Sequence, residues 1–579
     1  MGALLAQATE VEAIPAPDVD WLAIGPPVVL FAAALAIVLL AALVRGRSLE
    51  HSLPDWMVLG GVLGPVMVWV GRFWFVRYDI DGGAGAVMAV GLVAALAALV
   101  FALARRQVFA AAFVIAASGT VSAAAIGVAQ WNVVRSDGPY TALARAVAVD
   151  GFAVFVSGVV LGATLLGVLL LTSWIRREGL EGPEAIAVML MGATGMLVMA
   201  SANDLIVVFV ALEVFSIALY VMTAFDRHRI ESQEAGLKYF LLGAFSSAVF
   251  LYGVALVYGA TGSTNLIDVA NAVRGVATSG SNGMLMVGFG LLLVGLGFKV
   301  AAVPFHMWTP DVYQGAPTPV TAFMAGATKA VAFGALLRIF VGAFDGLRSD
   351  WRPAVFALAV LSMVVGAAAA IVQTDVKRML AYSSIAHAGY VLIGVQVATE
   401  VRGPFGGTAA ALFYLAIYMV MSVGAFGAVQ ILGRRGDRAH SVNDYAGLAR
   451  REPVLAALLT LFLLAQAGVP LTAGFVAKLA VFKAAVDAGQ YQLALVGMLS
   501  ATVAAFVYLR IVIAMYAADD DHDRDTGHAV APPRATRLVI DLPTRLALGA
   551  AAAVVLLFGV VPGWLLDAAE HATNLLAGT

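Results

Sequence analysis

Long apolar runs constrain this chain more than any other feature of its sequence. A helix needs about 20 mostly apolar residues to cross the roughly 30 Å hydrocarbon core of a bilayer. Sixteen runs meet this requirement: 22–44, 54–76, 83–104, 108–129, 150–172, 184–200, 204–224, 236–259, 283–303, 319–343, 353–373, 379–398, 406–431, 453–487, 491–516 and 544–566. The polar stretches between them are too short to hold a soluble domain. We therefore predict an all-α, polytopic membrane helix bundle.

The composition supports a membrane protein and excludes several other classes. Hydrophobic residues make up 62% of the 579 residues and charged residues only 12%, whereas soluble domains are about a quarter charged. The chain contains no cysteine, so disulfides, thiolate-bound iron–sulfur clusters and Cys-based zinc sites are excluded. A net charge of −2 gives no indication of nucleic-acid binding. Neither a Walker A sequence nor a dinucleotide-binding glycine motif is present.

The distribution of Lys and Arg between the spans predicts an orientation. Eighteen of these residues lie in the connections after odd-numbered spans, and eight lie on the opposite face. Cytoplasmic loops carry the excess of basic residues in membrane proteins. We therefore expect a multi-pass protein of the cell inner (plasma) membrane with both termini on the outer face. The first span lacks the basic leader of a cleaved signal peptide, so we interpret it as a retained helix.

Ionisable residues inside the apolar spans are the main functional signal. Glu213 and Lys329 lie near the centres of their spans, and Lys299 and Lys478 are also deep. Such residues cost at least a few kcal/mol in a bilayer and usually mark an ion path or proton relay. The alternative is a structural ion pair between helices. Five further basic residues lie closer to span ends, where long side chains can reach the headgroups: Lys238, Arg338, Lys483, Arg510 and Arg545.

Two spans are predicted to be broken helices. Proline removes a backbone donor, and Pro304 follows one span directly while Pro470 interrupts another. Irregular backbone at membrane depth persists only where it is buried in protein or lines a wet cavity. Lys299 and Lys478 each lie close to a break. A matched pair of breaks with matched lysines is typical of inverted repeats built around an ion path, although either break alone could be an ordinary kink.

Two histidines are further candidates for proton transfer. His306 follows the first break, and His387 lies inside the span 379–398. An imidazole titrates near neutral pH and can therefore act in a proton relay. A hydrogen-bonded structural role is an equal alternative for each.

Three segments resemble one membrane-protein family. They are Pro304–Pro319 (PFHMWTPDVYQGAPTP), Asp375–His387 (DVKRMLAYSSIAH) and Gly468–Lys478 (GVPLTAGFVAK). Together they resemble the antiporter-like N subunits of proton-pumping NADH:quinone oxidoreductase, respiratory complex I. The core of the first segment also occurs in the related L and M subunits and in Mrp-type antiporters, but its VYQGAP continuation is similar to that of N subunits. The resemblance covers roughly residues 149 to 566.

The resemblance implies a role for each candidate residue. Glu213 would pair with Lys299 on the first broken helix, Lys329 would occupy the middle of the channel, and Lys478 would be the terminal relay site. Lys238, His306 and His387 would be supporting positions. The fold implied is a bundle of 14–16 transmembrane helices with two inverted five-helix repeats and two broken helices.

The resemblance also implies a division of the chain and a set of partners. The divisions are N-terminal membrane helices (1–149), two antiporter-like repeat regions (150–343 and 344–516), and a polar loop with the last helix (517–579). The partners would be L- and M-type subunits, small membrane subunits and lipid, and no nucleic acid. No cofactor or metal is expected in this chain, because FMN, iron–sulfur clusters and quinone would be bound by other subunits. The alternatives are an Mrp-type cation/proton antiporter subunit and a purely structural scaffold.

Overall fold

A computed structural model of the protein describes residues 19–43, 100, 107–180, 182–279, 283–433, 436–517 and 540–575. Two predicted spans, 54–76 and 83–104, lie outside the described residues, apart from Val100. Every other predicted span falls on helix. Twelve described helices are long and apolar enough to cross a membrane. The predicted all-α membrane bundle is therefore confirmed.

Nineteen α-helical segments and one hairpin make up the described residues. The first part of the chain forms α1 (Trp21–Leu43), α2 (Val108–Asp137), the strands β1 (Tyr140–Ala142) and β2 (Val147–Val149), α3 (Gly151–Glu178), α4 (Glu184–Ser201), α5 (Leu205–Thr223), α6 (Ile230–Thr261), α7 (Leu266–Ser279), α8 (Gly283–Val300), α9 (Trp308–Gly315) and α10 (Thr318–Ala343). The second part forms α11 (Arg348–Ile371), α12 (Val376–Gln396), α13 (Gly407–Leu432), α14 (Leu448–Arg451), α15 (Pro453–Ala467), α16 (Ala473–Asp487), α17 (Tyr491–Tyr516), α18 (Leu542–Val560) and α19 (Gly563–His571). The antiparallel β1–β2 hairpin was not predicted.

Helices at the centre and at the edge of the bundle differ in burial. The membrane-spanning windows of α10 and α13 are completely buried. By contrast, α5 exposes a row of apolar residues spaced three or four apart: Ile206, Val210, Val214, Ile217 and Val221. That spacing places them on one helix face. In a bilayer such a face contacts lipid or another apolar helix at no cost, so the polar functional groups are confined to the interior.

Both predicted helix breaks are present. The first helix ends at Val300, and a turn with a cis Val303–Pro304 bond connects it to α9. The second ends at Ala467, and α16 starts at Ala473 after a segment in which Gly468 and Leu471 have positive φ angles. Positive φ is easily adopted only by glycine. Pro304 and Pro470 thus interrupt the backbone at the places the sequence predicts.

The helix that carries Lys329 is irregular in another way. Within α10, two π-helical segments, Met324–Thr328 and Leu337–Ala343, flank an α-helical segment that begins at Lys329. π-Helical turns are rare and are frequently found at functional sites. They change the direction of the side chains that follow, so the position of Lys329 depends on the first segment, which directly precedes it.

The connections lie on two faces as the predicted alternation requires. One surface cavity is lined by residues from the connections 225–235, 304–318, 374–378 and 432–452, all predicted to be cytoplasmic. Another is lined by residues from 260–282, 344–352, 399–405 and the end of the chain, all predicted to be outside. No connection is on the wrong face in either cavity. The boundaries of the four predicted divisions remain predictions.

Candidate functional site

Lys299 lies in the last turn of α8, directly before the first break, and is 1% exposed. Its Nζ donates to Ser216 Oγ of α5 at 2.7 Å. Four aromatic rings surround the ammonium group with centroids 5.3 to 5.9 Å away: Phe215, Tyr220, Tyr239 and Phe298. Cation–π attraction stabilises an ammonium group in such a cage. Lys299 is therefore held by one hydroxyl and a set of neutral rings.

Two side chains form hydrogen bonds to the backbone at the broken end of α8. Trp308 Nε1 donates to Phe298 O at 2.9 Å, and the Val303 backbone N–H donates to Ser362 Oγ at 2.9 Å. The end of a helix leaves carbonyl groups without partners, and unpaired polar groups are costly at membrane depth. These contacts let the helix stop inside the bundle next to Lys299.

Glu213 lies one turn before Ser216 on α5 and is partly buried. It is near enough to Lys299 for an electrostatic interaction, but its Oε1 is buried without a hydrogen-bond partner. In the described part of the chain, no ion pair joins Glu213 to Lys299, whose one hydrogen bond goes to Ser216. Glu213 therefore lies near Lys299 without contacting it directly, whereas the resemblance implies a direct pair.

Lys329 lies at the start of the central α-helical segment of α10 and is 3% exposed. Its Nζ donates to Ser384 O of α12. The ring centroid of Tyr418, on α13, is 5.6 Å from the same nitrogen. The three central helices therefore meet at Lys329.

His387 lies one turn beyond Ser384 on α12 and is also buried. Its Nδ1 is 2.6 Å from the Tyr414 hydroxyl, and its Nε2 is 3.1 Å from the Tyr508 hydroxyl. The imidazole also packs against the Tyr418 ring, with centroids 4.9 Å apart. Both ring nitrogens are thus bonded to groups that can either donate or accept a proton.

Lys478 lies on α16 beyond the second break and is 6% exposed. Its Nζ donates across the break to Ala467 O, the last residue of α15, at 2.8 Å. The Tyr390 ring is 5.2 Å from this nitrogen and 5.6 Å from the His387 ring. A row of titratable and hydroxyl-bearing groups therefore runs from Lys329 through His387 and Tyr390 to Lys478.

The two remaining predicted residues lie at the edge of this arrangement. Lys238 is partly exposed and forms ion pairs with Glu234 at 2.6 Å and Asp311 at 2.9 Å. His306 is partly buried, and its Nδ1 has no partner. The structure thus joins Lys329, His387 and Lys478 closely, places Glu213 beside Lys299, and leaves Lys238 and His306 peripheral.

Sequence reasoning missed the tyrosines that connect the titratable groups. Tyr390, Tyr414, Tyr418 and Tyr508 come from three different helices and surround His387. The only sequence feature that could have indicated these tyrosines is the spacing of Tyr414 and Tyr418, which places both on one helix face. Buried aromatic residues usually belong to a packed core, so that spacing alone could not identify them.

One prediction about span ends is wrong. Arg338 was expected to reach the headgroups, but it is 1% exposed and forms a two-point ion pair with Asp150, at 2.8 and 3.0 Å. It also donates to the carbonyl of Leu575. Because the end of the chain folds over this helix end, water and headgroups cannot reach the guanidinium.

Several buried hydroxyl groups have no hydrogen-bond partner among the described residues. They include Tyr220 and Tyr239, whose rings lie around Lys299, and Thr328, which directly precedes Lys329. Buried polar groups without protein partners are normally satisfied by internal water molecules. The surroundings of both lysines are therefore suited to hold water.

Two interrupted helices, each with a buried lysine, inside a polytopic bundle define the antiporter-like class of membrane proteins. A family described as NADH:quinone oxidoreductase/Mrp antiporter, transmembrane region, matches residues 202–504. The chain belongs to this family.

Relatives similar over most of the chain are subunits N of NADH-quinone oxidoreductase. The protein of Mycobacteroides abscessus is 39% identical, with 98% of this chain and 100% of the relative covered. That of Trichlorobacter lovleyi is 42% identical, with 79% and 90% covered. Among solved structures, a chain of respiratory complex I from Thermus thermophilus with bound aureothin is 30% identical, with a TM-score of 0.65 and 94% and 98% covered. The Mrp complex from Dietzia matches with a TM-score of 0.70 at 22% identity, with 90% and 97% covered, which is a likeness of fold.

Proposed function

We propose that this chain is the antiporter-like, proton-translocating subunit N of an NADH:quinone oxidoreductase. Protons would move along Glu213, Lys299, Lys329, His387 and Lys478. The names of the subunit N relatives support the assignment to the oxidoreductase. The buried row of ionisable groups supports a path for protons.

The observation that carries this proposal is the absence of carboxylate partners at the three deep lysines. Within the described ranges, Lys299, Lys329 and Lys478 form no ion pair, and each donates to a hydroxyl or a backbone carbonyl. A neighbouring carboxylate would favour the charged lysine, whereas burial disfavours it. A lysine held by neutral acceptors can release and regain its proton as nearby charges change. The scaffold alternative would require permanent ion pairs, which these residues lack.

This chain would contribute no redox chemistry. FMN, iron–sulfur clusters and quinone would be held by other subunits, and charge changes would reach the lysines through neighbouring membrane subunits of the L and M type and through small membrane subunits. The protein would lie in the cell inner membrane with both termini outside, in accordance with the excess of basic residues on one face.

Replacement of Lys329 tests the proposal directly. In the assembled complex reconstituted into vesicles, Lys329→Ala should strongly reduce the number of protons translocated per NADH oxidised. The matched control is Lys483→Ala, since Lys483 is an exposed lysine paired with Asp487. Full proton translocation by an assembled Lys329→Ala complex would refute the proposal.

The alternative, an Mrp-type cation/proton antiporter subunit, uses a similar lysine arrangement without a redox partner. The Dietzia Mrp structure favours this alternative only at the level of the fold. Purification of the tagged chain from native membranes separates the two. An NADH-oxidising assembly supports the proposal, and an assembly that exchanges cations for protons without oxidising NADH supports the alternative.

A further inference from the structure

A polar cavity of about 320 Å³ opens on the face predicted to be cytoplasmic. Its lining is dominated by ionisable residues from the start of α6, from α9, from the start of α12 and from the α13–α14 connection. The cavity reaches two buried groups, Asp437 and His440, which are 1% and 4% exposed. The pair lies in a polar connection between two predicted spans, so its burial is not explained by its place in the sequence.

Asp437 is the centre of a dense set of contacts. Its Oδ1 accepts from Thr318 Oγ1 at 2.8 Å, and its Oδ2 lies 3.0 Å from Lys377 Nζ and 3.3 Å from the Arg229 guanidinium. These partners come from the first turns of α10 and α12 and from the residue before α6. One carboxylate therefore holds together the ends of three membrane helices.

His440 is bonded on one side only. Its Nε2 lies 2.8 Å from Asp437 Oδ1, while its Nδ1 is buried and has no partner among the described residues. An Nε2–H that donates to the carboxylate leaves a lone pair on Nδ1, since a neutral imidazole carries one proton. His440 is one of the residues that line the cavity.

Asp437 itself is unsuited to carry the proton. Burial alone would raise the pKa of this carboxyl, but Lys377, the hydrogen bond from His440 and Arg229 hold it well below its ordinary value. The group therefore remains an anion throughout the neutral range. A fixed anion accepts the imidazole N–H and so orients the ring.

We propose that His440 takes up protons from this cavity and that Asp437 is its positioning residue. The inference rests on the proposed function, because it supplies the entrance to the same path. Lys377 links this site to the deeper one by charge and by helix α12 rather than as a proton carrier: its Nζ is 3.0 Å from Asp437 Oδ2 and donates to Ala316 O at 2.7 Å. The same helix, two turns further on, carries Ser384, whose carbonyl accepts from Lys329.

Other charged groups line the cavity with His440. Arg229, Arg438 and Lys238 are positive, and Glu231, Glu234, Asp311 and Asp375 are negative besides Asp437. Lys377, paired with Asp437, is also positive. The rim groups include exposed ion pairs such as Lys238–Asp311, whereas His440 is buried with a free nitrogen. This difference makes His440, rather than a rim group, the acceptor at the inner end of the cavity.

Chemical rescue of a cavity variant tests the inference. In vesicles containing the assembled complex, His440→Ala should slow coupled proton translocation by about a hundredfold, the low end of general acid–base effects. Imidazole, 4-methylimidazole and 1,2,4-triazole can enter the space left behind and differ in their solution pKa. If His440 transfers protons, the rescued rate should follow the pKa of the added azole. Rescue to the same rate by all three would show a space-filling role and overturn the inference.

A second variant covers the case in which His440→Ala fails to assemble. His440→Gln keeps an amide donor for Asp437 but cannot take up and release a proton, so translocation should be slow and its pH profile should differ from that of the unmodified complex. An unchanged rate and pH profile would overturn the inference. His228→Ala is the matched control, since His228 is an exposed histidine on the same predicted face, and it should leave both unchanged.

The two proposals fail in different ways. Normal translocation in Lys329→Ala would refute the proposed function. Loss of translocation in Lys329→Ala together with normal behaviour of both His440 variants would refute only the uptake role of His440.

Discussion

At the scale of single residues, the polar groups of the bundle differ in how completely they are bonded. His387 has partners on both ring nitrogens, whereas the Tyr220 and Tyr239 hydroxyls beside Lys299 have none among the described residues. A buried group with fixed partners is held in one tautomer, and a group without them depends on water. The proposed path is thus rigid around His387 and suited to hydration around Lys299.

This contrast predicts the effect of removing one hydroxyl. Tyr414→Phe keeps the ring but leaves His387 Nδ1 without its partner at 2.6 Å. An unsatisfied buried group costs about 1–3 kcal/mol, and the tautomer of His387 is no longer fixed. We expect an assembled complex with reduced proton translocation, measured as protons moved per NADH oxidised. Tyr445→Phe is the control, because the Tyr445 hydroxyl is buried without a partner, and it should have no effect. Equal translocation in both variants would argue against a role for the Tyr414 hydrogen bond.

At the scale of the elements, the second helix break depends on close backbone packing. A Cβ added at Gly474 would lie 1.8 Å from Ala465 O and 2.8 Å from Met421 Sδ. The glycine lets α16 begin directly against the end of α15. This contact brings Lys478 within 2.8 Å of Ala467 O.

Gly474→Ala should therefore separate the two halves of the broken helix. Overpacking of this kind costs about 1–3 kcal/mol, and the displacement moves Lys478 from its acceptor. We expect a lower thermal unfolding temperature of the complex in detergent and reduced proton translocation. Gly549→Ala is the matched control, since a Cβ there meets nothing within 4 Å. It should leave both measurements unchanged or slightly raise stability. Comparable behaviour of the two variants would contradict the packing explanation.

The sequence predicted the helices and breaks because these depend on local signals. Apolar length identifies a span, and Pro304 and Pro470 lie where the backbone is interrupted. The π-helical segments around Lys329 have no such signal, because they result from packing of α10 within the bundle. The tyrosines near His387 were missed for the same reason, since they come from helices that are distant in sequence.

At the scale of the whole molecule, the sequence does not predict how deeply charged residues outside the span centres are buried. Lys377 and Asp437 lie in connections between the predicted spans and Arg338 near a span end, yet all three are buried. Position along a span predicts depth only if the span end is open to water. Here the α13–α14 connection covers one end of the bundle and the residues after α19 cover the other. That cover is a tertiary feature, and no local pattern predicts it.

The Asp150–Arg338 pair joins three distant parts of the chain. Asp150 caps α3 by accepting from the Ala153 backbone at 2.7 Å, Arg338 belongs to the second π-helical segment of α10, and Leu575 O accepts from the same guanidinium at 2.9 Å. Both charged side chains are almost completely buried. The pair therefore fixes α3 and the end of the chain against the helix that carries Lys329.

Removing one partner of the Asp150–Arg338 pair should destabilise the protein more than removing both charges. Arg338→Met leaves the Asp150 carboxylate buried without a counter-charge, which costs about 3–5 kcal/mol. Asparagine can still cap α3, so Asp150→Asn combined with Arg338→Met should recover part of the loss. Thermal unfolding of the purified complex measures both changes, and proton translocation per NADH shows whether Lys329 is still positioned. If the double variant is as unstable as Arg338→Met, the loss comes from the contacts of Arg338 with Leu575 and its neighbours, and the uncompensated charge of Asp150 is not its cause.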